Sequence, residues 1–279
     1  MFGKRLINTS TVSSGQWNID SGFSLNSEAN PDQQGLYIAS GFQFSEDGLS
    51  CYSQSEYPNN QIYKYTLSTA FNLASMYSSS PANFDPPNSY GSDFKFYDNG
   101  NKMLVSTGSS TNILTYDLST PYNITSASNL RTKSTPPQRP IGVSFLDDGN
   151  KFVIRDYTDG SNLQIYMYSL SIAYDITSTF TLLSSINLTT AATGLSNSIG
   201  YGIIFQNDGT QCIVTQRAST NTNNVLLINF SIPFDLTSTK TYVCKSANGG
   251  PGAPTIVNNN TQLAWGDETL SKFRIFDIL

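Results

Sequence analysis

"PYNITSAS" occupies residues 121–128, and the same phrase returns as "AYDITSTF" at 173–180 and "PFDLTSTK" at 233–240. Looser copies read "AFNLASMY" at 70–77 and "QWNIDSGF" at 16–23. Each copy holds an aromatic residue, then Asn or Asp, then an aliphatic residue that leads onward. The aromatics are Trp17, Phe71, Tyr122, Tyr174 and Phe234. A phrase that recurs down the chain signals a repeat architecture, and the repeat has to be read before any single motif.

A turn signal precedes the later copies. "FSEDG" ends at Gly48, "FYDNG" at Gly100, "FLDDG" at Gly149, "FQNDG" at Gly209 and "VNNN" at Asn260, giving spacings of 52, 49, 60 and 51 residues. Asp-Gly and Asn-Gly supply the positive φ angles of a tight two-residue hairpin. Each unit is therefore expected to hold a strand, a hairpin turn at Gly48, Gly100, Gly149 or Gly209, and a second strand. The second strands read "LSCYSQ", "KMLVST", "KFVIRD", "QCIVTQ" and "QLAWGD". Their apolar centres fit strands covered on both faces. A third strand follows ("IYKYTLS", "ILTYDLS", "IYMYSLS", "VLLINFS", "FRIFDIL"), then the quoted phrase, then a more polar fourth strand.

Four strands repeating at about 50 residues describe a propeller blade. The count is five. The copy at Trp17 precedes any complete unit, and the last unit ends at Leu279 without a copy. Residues 14–30 are therefore predicted to supply the outer strand of the last blade, which closes the ring and removes an open edge. The expected fold is all-β: a five-bladed β-propeller with four-stranded antiparallel blades, in one domain over 1–279. Residues 1–13 form an N-terminal extension, and the blades fall at approximately 36–83, 90–133, 140–188, 199–247 and 252–279 plus 14–30. In the repeated phrase the aromatic is expected to fill the gap between blades. Asn or Asp closes a side-chain-to-backbone turn, and the aliphatic residue re-enters the core.

The stretch "FLDDGNKFVIRDYTDGSNLQIYMYSLSIAYDITS" (145–178) resembles a propeller repeat of uncharacterised marine bacterial and bacteriophage proteins. Four units match that pattern, and "VNNN" departs from it by lacking Asp-Gly. The resemblance implies the fold and a phage-like setting, not an activity, because propellers host binding, assembly and catalysis alike. The blade count is also similar to that of tachylectin-type sugar-binding propellers and five-bladed glycosidases.

Composition narrows the chemistry. Charged residues are only 13% of the chain and the net charge is -5, which argues against a nucleic-acid surface. No run is long and apolar enough to cross a bilayer, and no apolar stretch follows Lys4 and Arg5, so neither membrane insertion nor a signal peptide is expected. Cys51, Cys212 and Cys244 cannot all pair and show no metal-ligand spacing. There is no His, which removes the commonest general base and metal ligand. A glycosidase needs two facing carboxylates. The predicted inner strands "YIASGFQF", "YGSDFKF", "PIGVSFL", "YGIIFQ" and "APTIV" hold one acid, Asp93. "DYTDG" (156–160) falls short of a calcium loop. The expectation is no catalytic residue, no metal and no cofactor.

Recognition by a surface remains. Loops between strands two and three share a face with the inter-blade segments, and unequal loops on a rigid scaffold are where binding concentrates. Arg155, Asp156, Tyr157, Arg217 and Trp265 lie at or near those strand ends and are the candidate binding residues. The expected role is a non-catalytic virion protein of a bacteriophage, in tail, fibre or capsid decoration. Its partners would be other virion proteins and host surface glycans. A lectin-like propeller is the alternative, and a five-bladed glycosidase is a third reading. The expected location is the virion, assembled in the host cytoplasm; the alternative is a cytoplasmic protein, or one exported without a classical signal peptide.

Overall fold

The computed structural model describes residues 19, 24–30, 37–57, 60–87, 93–108, 110–135, 139–157, 163–188, 198–199, 202–206, 208–218, 223–247, 251–257, 262–267 and 272–278. It is a ring of five antiparallel sheets. Strand β1 (Ser24–Ala29) comes first and belongs to the last blade. The first blade is β2 (Tyr37–Phe44), β3 (Ser50–Tyr57), β4 (Ile62–Leu67) and β5 (Met76–Phe84). The second is β6 (Asp93–Tyr97), β7 (Lys102–Ser106), β8 (Asn112–Leu118) and β9 (Ala127–Ser134). The third is β10 (Pro140–Leu146), β11 (Lys151–Tyr157), β12 (Leu163–Leu170) and β13 (Phe180–Asn187). In the fourth the inner strand is split into β14 (Ser198–Ile199) and β15 (Ile203–Phe205), both paired with β16 (Gln211–Ala218). That blade continues through β17 (Asn223–Phe230) and β18 (Lys240–Ala247). The fifth runs β19 (Thr255–Val257), β20 (Gln262–Asp267), β21 (Lys272–Asp277) and then β1.

The ring closes as the repeat count requires. β1 pairs antiparallel with β21 through Ser24 and Asp277, Leu25 and Phe276, Glu28 and Arg274, and Ala29 and Phe273. Lys272 Nζ lies 2.6 Å from Glu28 Oε1, and these two charges flank the seam. Ile19, the aliphatic residue of the first phrase, is fully buried against Trp265 and Phe276 of the fifth blade and Ile213 of the fourth. Trp17, with the extension 1–13, lies outside the described residues.

The core follows the seams. Apolar side chains on both faces of the middle strands have to be buried, and a blade alone can bury neither face. Among the described residues they form five clusters, each spanning two adjacent blades. Phe42, Tyr65 and Leu73 of the first blade pack with Ala264, Phe273 and Ile275 of the fifth, so side chains close the ring as well as strands. Cys51 and Cys212 sit in such clusters, and burial pushes both thiols up from their ordinary range.

The repeated phrase does more than fill a gap. Phe71, Tyr122, Tyr174 and Phe234 all have φ between 55° and 61°, in the left-handed region. Each backbone N–H donates to the carbonyl of its own blade's turn glycine, at 2.8–3.0 Å, to Gly48, Gly100, Gly149 and Gly209 respectively. Each ring then lies flat over that glycine, where an added Cβ would stand 2.4–2.5 Å from ring atoms. The aromatic is thus a clasp that locks the corner into the outer strand onto the inner hairpin. It still reaches the preceding blade in places: Tyr174 stacks on Tyr97 at 5.8 Å, and the Tyr122 carbonyl accepts from Tyr52 Oη at 2.6 Å. Asn72, Asn123, Asp175 and Asp235 accept from the N–H two residues on, at 2.8–3.2 Å, as the turn reading required. Leu73, Ile124, Ile176 and Leu236 are buried.

The hairpins differ from the two-residue turns expected. Tyr97 pairs with Lys102, and Leu146 with Lys151, leaving four residues in each loop. Asp98, Asn99 and Gly100 have φ of 52°, 53° and 79°, and Asp147, Asp148 and Gly149 have 51°, 50° and 82°. The longer turn has a physical reason. The glycine must present a bare Cα to the ring and its carbonyl to the aromatic's N–H, and Asp and Asn tolerate the left-handed residues ahead of it.

Candidate functional site

Counting back from the turn places equivalent residues of the inner strands at one level of the axis. Seven residues before the turn stand Gly41, Asp93, Gly142, Gly202 and Ala253. Four are Gly or Ala because adjacent inner strands nearly touch here. A Cβ on Gly142 would lie 2.7 Å from Gly202 Cα, and one on Gly202 would lie 2.5 Å from Ala253 Cβ. The fifth is the acid singled out from the sequence. Asp93 is fully buried, its Oδ1 accepting from Lys95 Nζ at 2.9 Å and its Oδ2 from Val143 N at 3.3 Å. Burial pushes its carboxyl up to about 6, against the pull of Lys95.

Two residues nearer the turns stand Gln43, Lys95, Ser144, Ile204 and Thr255. With Gln206 they line an axial cavity of about 390 Å³. Aromatic walls come from Phe96, Tyr97, Phe145, Tyr174 and Phe205, and Asp98 of a hairpin turn joins the lining. The strand sequence explains the polar ring: alternate residues of an inner strand face its neighbour around the axis, so one side chain per blade arrives at this level. Asp98 is the one carboxylate of the lining; Asp93 sits deeper, tied to Lys95. The cavity thus offers a cation, amides, hydroxyls and aromatic faces, a set suited to holding a polar molecule rather than to the paired-acid chemistry of glycoside cleavage.

This cavity is lined by the hairpin-turn end of the inner strands, not by the strand ends favoured from the sequence. The residues chosen there are placed differently from a wet rim. Arg155 is fully buried between the third and fourth blades. Its Nη1 donates to the carbonyls of Gly202 at 3.1 Å and Thr215 at 2.6 Å, and burial lowers its pKa to about 9. Asp156 is also buried, and its Oδ1 accepts from Arg139 N at 2.8 Å, pinning the segment that leads into β10. Trp265 is buried and stacks on Phe276 at 4.2 Å. These three are not exposed stacking platforms. Burial runs one or two residues further toward the strand ends than the polarity of the sequence suggested, taking in Gln54, Ser106, Arg155, Asp156 and Thr215. Tyr157 and Arg217 lie in β11 and β16, and their side chains lie outside the described residues, as do 158–162 and 189–197. The axial ring escaped the sequence reading because Gln43, Ser144 and Thr255 carry no motif; only counting every blade back from its turn finds them.

No family model and no curated protein matches this sequence. Among solved structures the chain is similar to the β-propeller domain of Cps50 (Swd1) from Myceliophteria thermophila, with TM-score 0.50 and 7% identity, covering 92% of this chain and 100% of that one. It is also similar to a periplasmic gluconolactonase of Pseudomonas aeruginosa, with TM-score 0.46, 12% identity and cover of 86% and 66%. A functionally unknown protein from Desulfotomaculum acetoxidans gives TM-score 0.44 and 16% identity, with cover of 84% and 67%. The first likeness supports the β-propeller architecture and, at that identity, nothing finer.

Proposed function

We propose that this propeller is a non-catalytic binding and assembly protein of a bacteriophage particle, placed in the tail, fibre or capsid decoration. The reading is carried by apolar side chains that the ring leaves in solvent. Ile172 and Ile232 hold the same position in adjacent blades, each more than half exposed at 59% and 55%. Leu182 and Leu183 on β13 are exposed together, because a register shift between Met167 and Tyr168 brings both to the outside. Exposed apolar side chains on a low-charge ring, with Leu25, Leu49 and Leu130 of the other blades among them, suit a protein partner. The phage setting rests on the resemblance of the repeat and on the Asn, Ser and Thr-rich composition.

The test is recovery of the chain from purified particles by mass spectrometry, with Leu182→Lys and Leu183→Ser expected to reduce incorporation while leaving the melting temperature near wild type. A chain found only in the particle-free lysate would end this reading. A lectin-like second reading is favoured by the axial cavity, whose polar ring and aromatic walls match the two sides of a sugar. A glycan array with no signal at millimolar ligand removes it.

A further inference from the structure

The lining of the axial cavity holds one cation, Lys95 on β6. Its side chain is 10% exposed, whereas that of its partner Asp93 is wholly buried. An ammonium carries three N–H donors. One goes to Asp93 Oδ1 at 2.9 Å, and no other acceptor takes Lys95 Nζ among the described residues. A second donor stands beside it. Gln43 Oε1 accepts from Phe96 N at 2.8 Å, so a side chain of the first blade crosses to the strand that holds Lys95. A backbone N–H can be met only by the amide oxygen, which fixes the way the amide points. Gln43 Nε2 is left without an acceptor among the described residues, and unlike the amide of Gln54 it is not sealed from solvent.

Two donors, one of them charged, therefore meet at one level of a cavity of about 390 Å³, a size common for small-molecule sites. Holding the inner strands together does not require them. The other blades place Gly41, Gly142, Gly202 and Ala253 at the level of Asp93, and Ser144, Ile204 and Thr255 at the level of Lys95. Ser144 Oγ donates to Phe145 O at 3.2 Å and so turns its lone pairs outward, and Thr255 adds a hydroxyl. Asp98, the carboxylate of the lining, is exposed at the hairpin turn, where water screens it.

We propose that this cavity binds a small sugar acid, its carboxylate held by Lys95 Nζ and Gln43 Nε2 and its ring against the aromatic walls, which rests on the sugar-binding reading of the cavity and narrows its ligand. The bound carboxylate and Asp93 then share one cation. Like charges so close disfavour each other, so Asp93 takes up a proton as the ligand arrives. Burial has already raised that carboxyl to about 6. The other titratable groups of the lining are Asp98, Tyr97 and Tyr174, and burial pushes both phenols up, away from neutral pH. Gln43, Ser144, Ile204, Gln206 and Thr255, from the remaining blades, do not titrate. Affinity should fall as pH rises above 6, approaching about tenfold for each pH unit.

Isothermal titration of the full chain at constant ionic strength, with glucuronate and with the neutral glucuronamide, tests the site. Glucuronate is expected to bind saturably at pH 6, and glucuronamide about tenfold more weakly or less. Comparing buffers of different ionisation heat at pH 7.5 should show uptake of about one proton per glucuronate. Gln43→Glu keeps an acceptor for Phe96 N but puts an anion where the donor stood. It should weaken glucuronate about tenfold or more while the melting temperature stays near wild type. Asp93→Asn should bind glucuronate equally well at pH 6 and pH 8. Equal binding of the two probes, no binding of either, wild-type affinity that ignores pH, or unchanged affinity in Gln43→Glu each overturns the proposal. Neutral sugars that still bind on the glycan array would then leave the lectin-like reading standing, whereas a blank array removes both.

Discussion

Replacing Gly149 with Ala should break the clasp that organises the third blade. Gly149 has φ of 82°, and a left-handed conformation costs an L-residue roughly 1–2 kcal/mol. A methyl there would also stand 2.4 Å from the Tyr174 ring, which must swing away. That ring stacks on Tyr97 at 5.8 Å and meets Phe145 edge-on at 5.3 Å, and losing such contacts costs about 0.5–1.5 kcal/mol for each pair. The total destabilisation is therefore on the order of 2–5 kcal/mol. In a Tyr174→Ala background the ring is already gone, and only the backbone part, about 1–2 kcal/mol, should remain. Equilibrium urea unfolding of wild type, both single variants and the double variant measures the coupling. If Gly149→Ala costs the same with and without the ring, the clasp does not exist and the repeated aromatic has some other purpose.

Asp93 makes stability fall as pH rises. Its folded carboxyl, raised to about 6 from an ordinary 3.8, holds its proton more tightly than in the unfolded chain. Stability from this group is complete below the unfolded value and is lost as pH rises through about 6, roughly 3 kcal/mol in all. Asp93→Asn should remove that fall, so wild-type and variant curves that run parallel between pH 4 and 7 would refute it. Lys95→Met leaves the buried carboxylate without its partner and should cost about 3–5 kcal/mol at pH 8, as judged by urea unfolding, with most of the loss recovered at pH 4. Asn123→Ala removes the acceptor that caps the corner of the second blade and should lower stability by about 0.5–2 kcal/mol. An unchanged urea midpoint would show that the cap is idle.

The architecture was legible because the chain repeats itself. Five copies of an aromatic, Asx, aliphatic phrase could be placed against five turns, and the mismatch between their ends forced the N-terminal strand into the last blade. The corner chemistry was half legible: Asn123 and Asp175 read as turn formers, but the left-handed aromatic over the glycine is a contact between residues some 22–25 positions apart, and it leaves no local signal. The candidate site was the least legible. Arg155 and Asp156 look like a polar strand end, yet the fourth blade covers Arg155 and the segment leading into β10 holds Asp156, and burial of that kind is a property of the ring rather than of the strand. The axial ring is polar through single unremarkable residues from five distant segments, which only the closed structure brings together.

The pairing of β1 with β21 underlies everything else, and a cross-link reads it directly. Glu28 and Arg274 face each other in that ladder. In a Cys244→Ser background, Glu28→Cys with Arg274→Cys is expected to oxidise to an intramolecular disulfide in the native protein. Because the bond closes a loop of nearly the whole chain, it should raise stability by on the order of 5 kcal/mol on chain-entropy grounds. Two thiols that stay free under oxidising conditions, titrating as an open pair in the folded chain, would contradict the closed five-bladed ring.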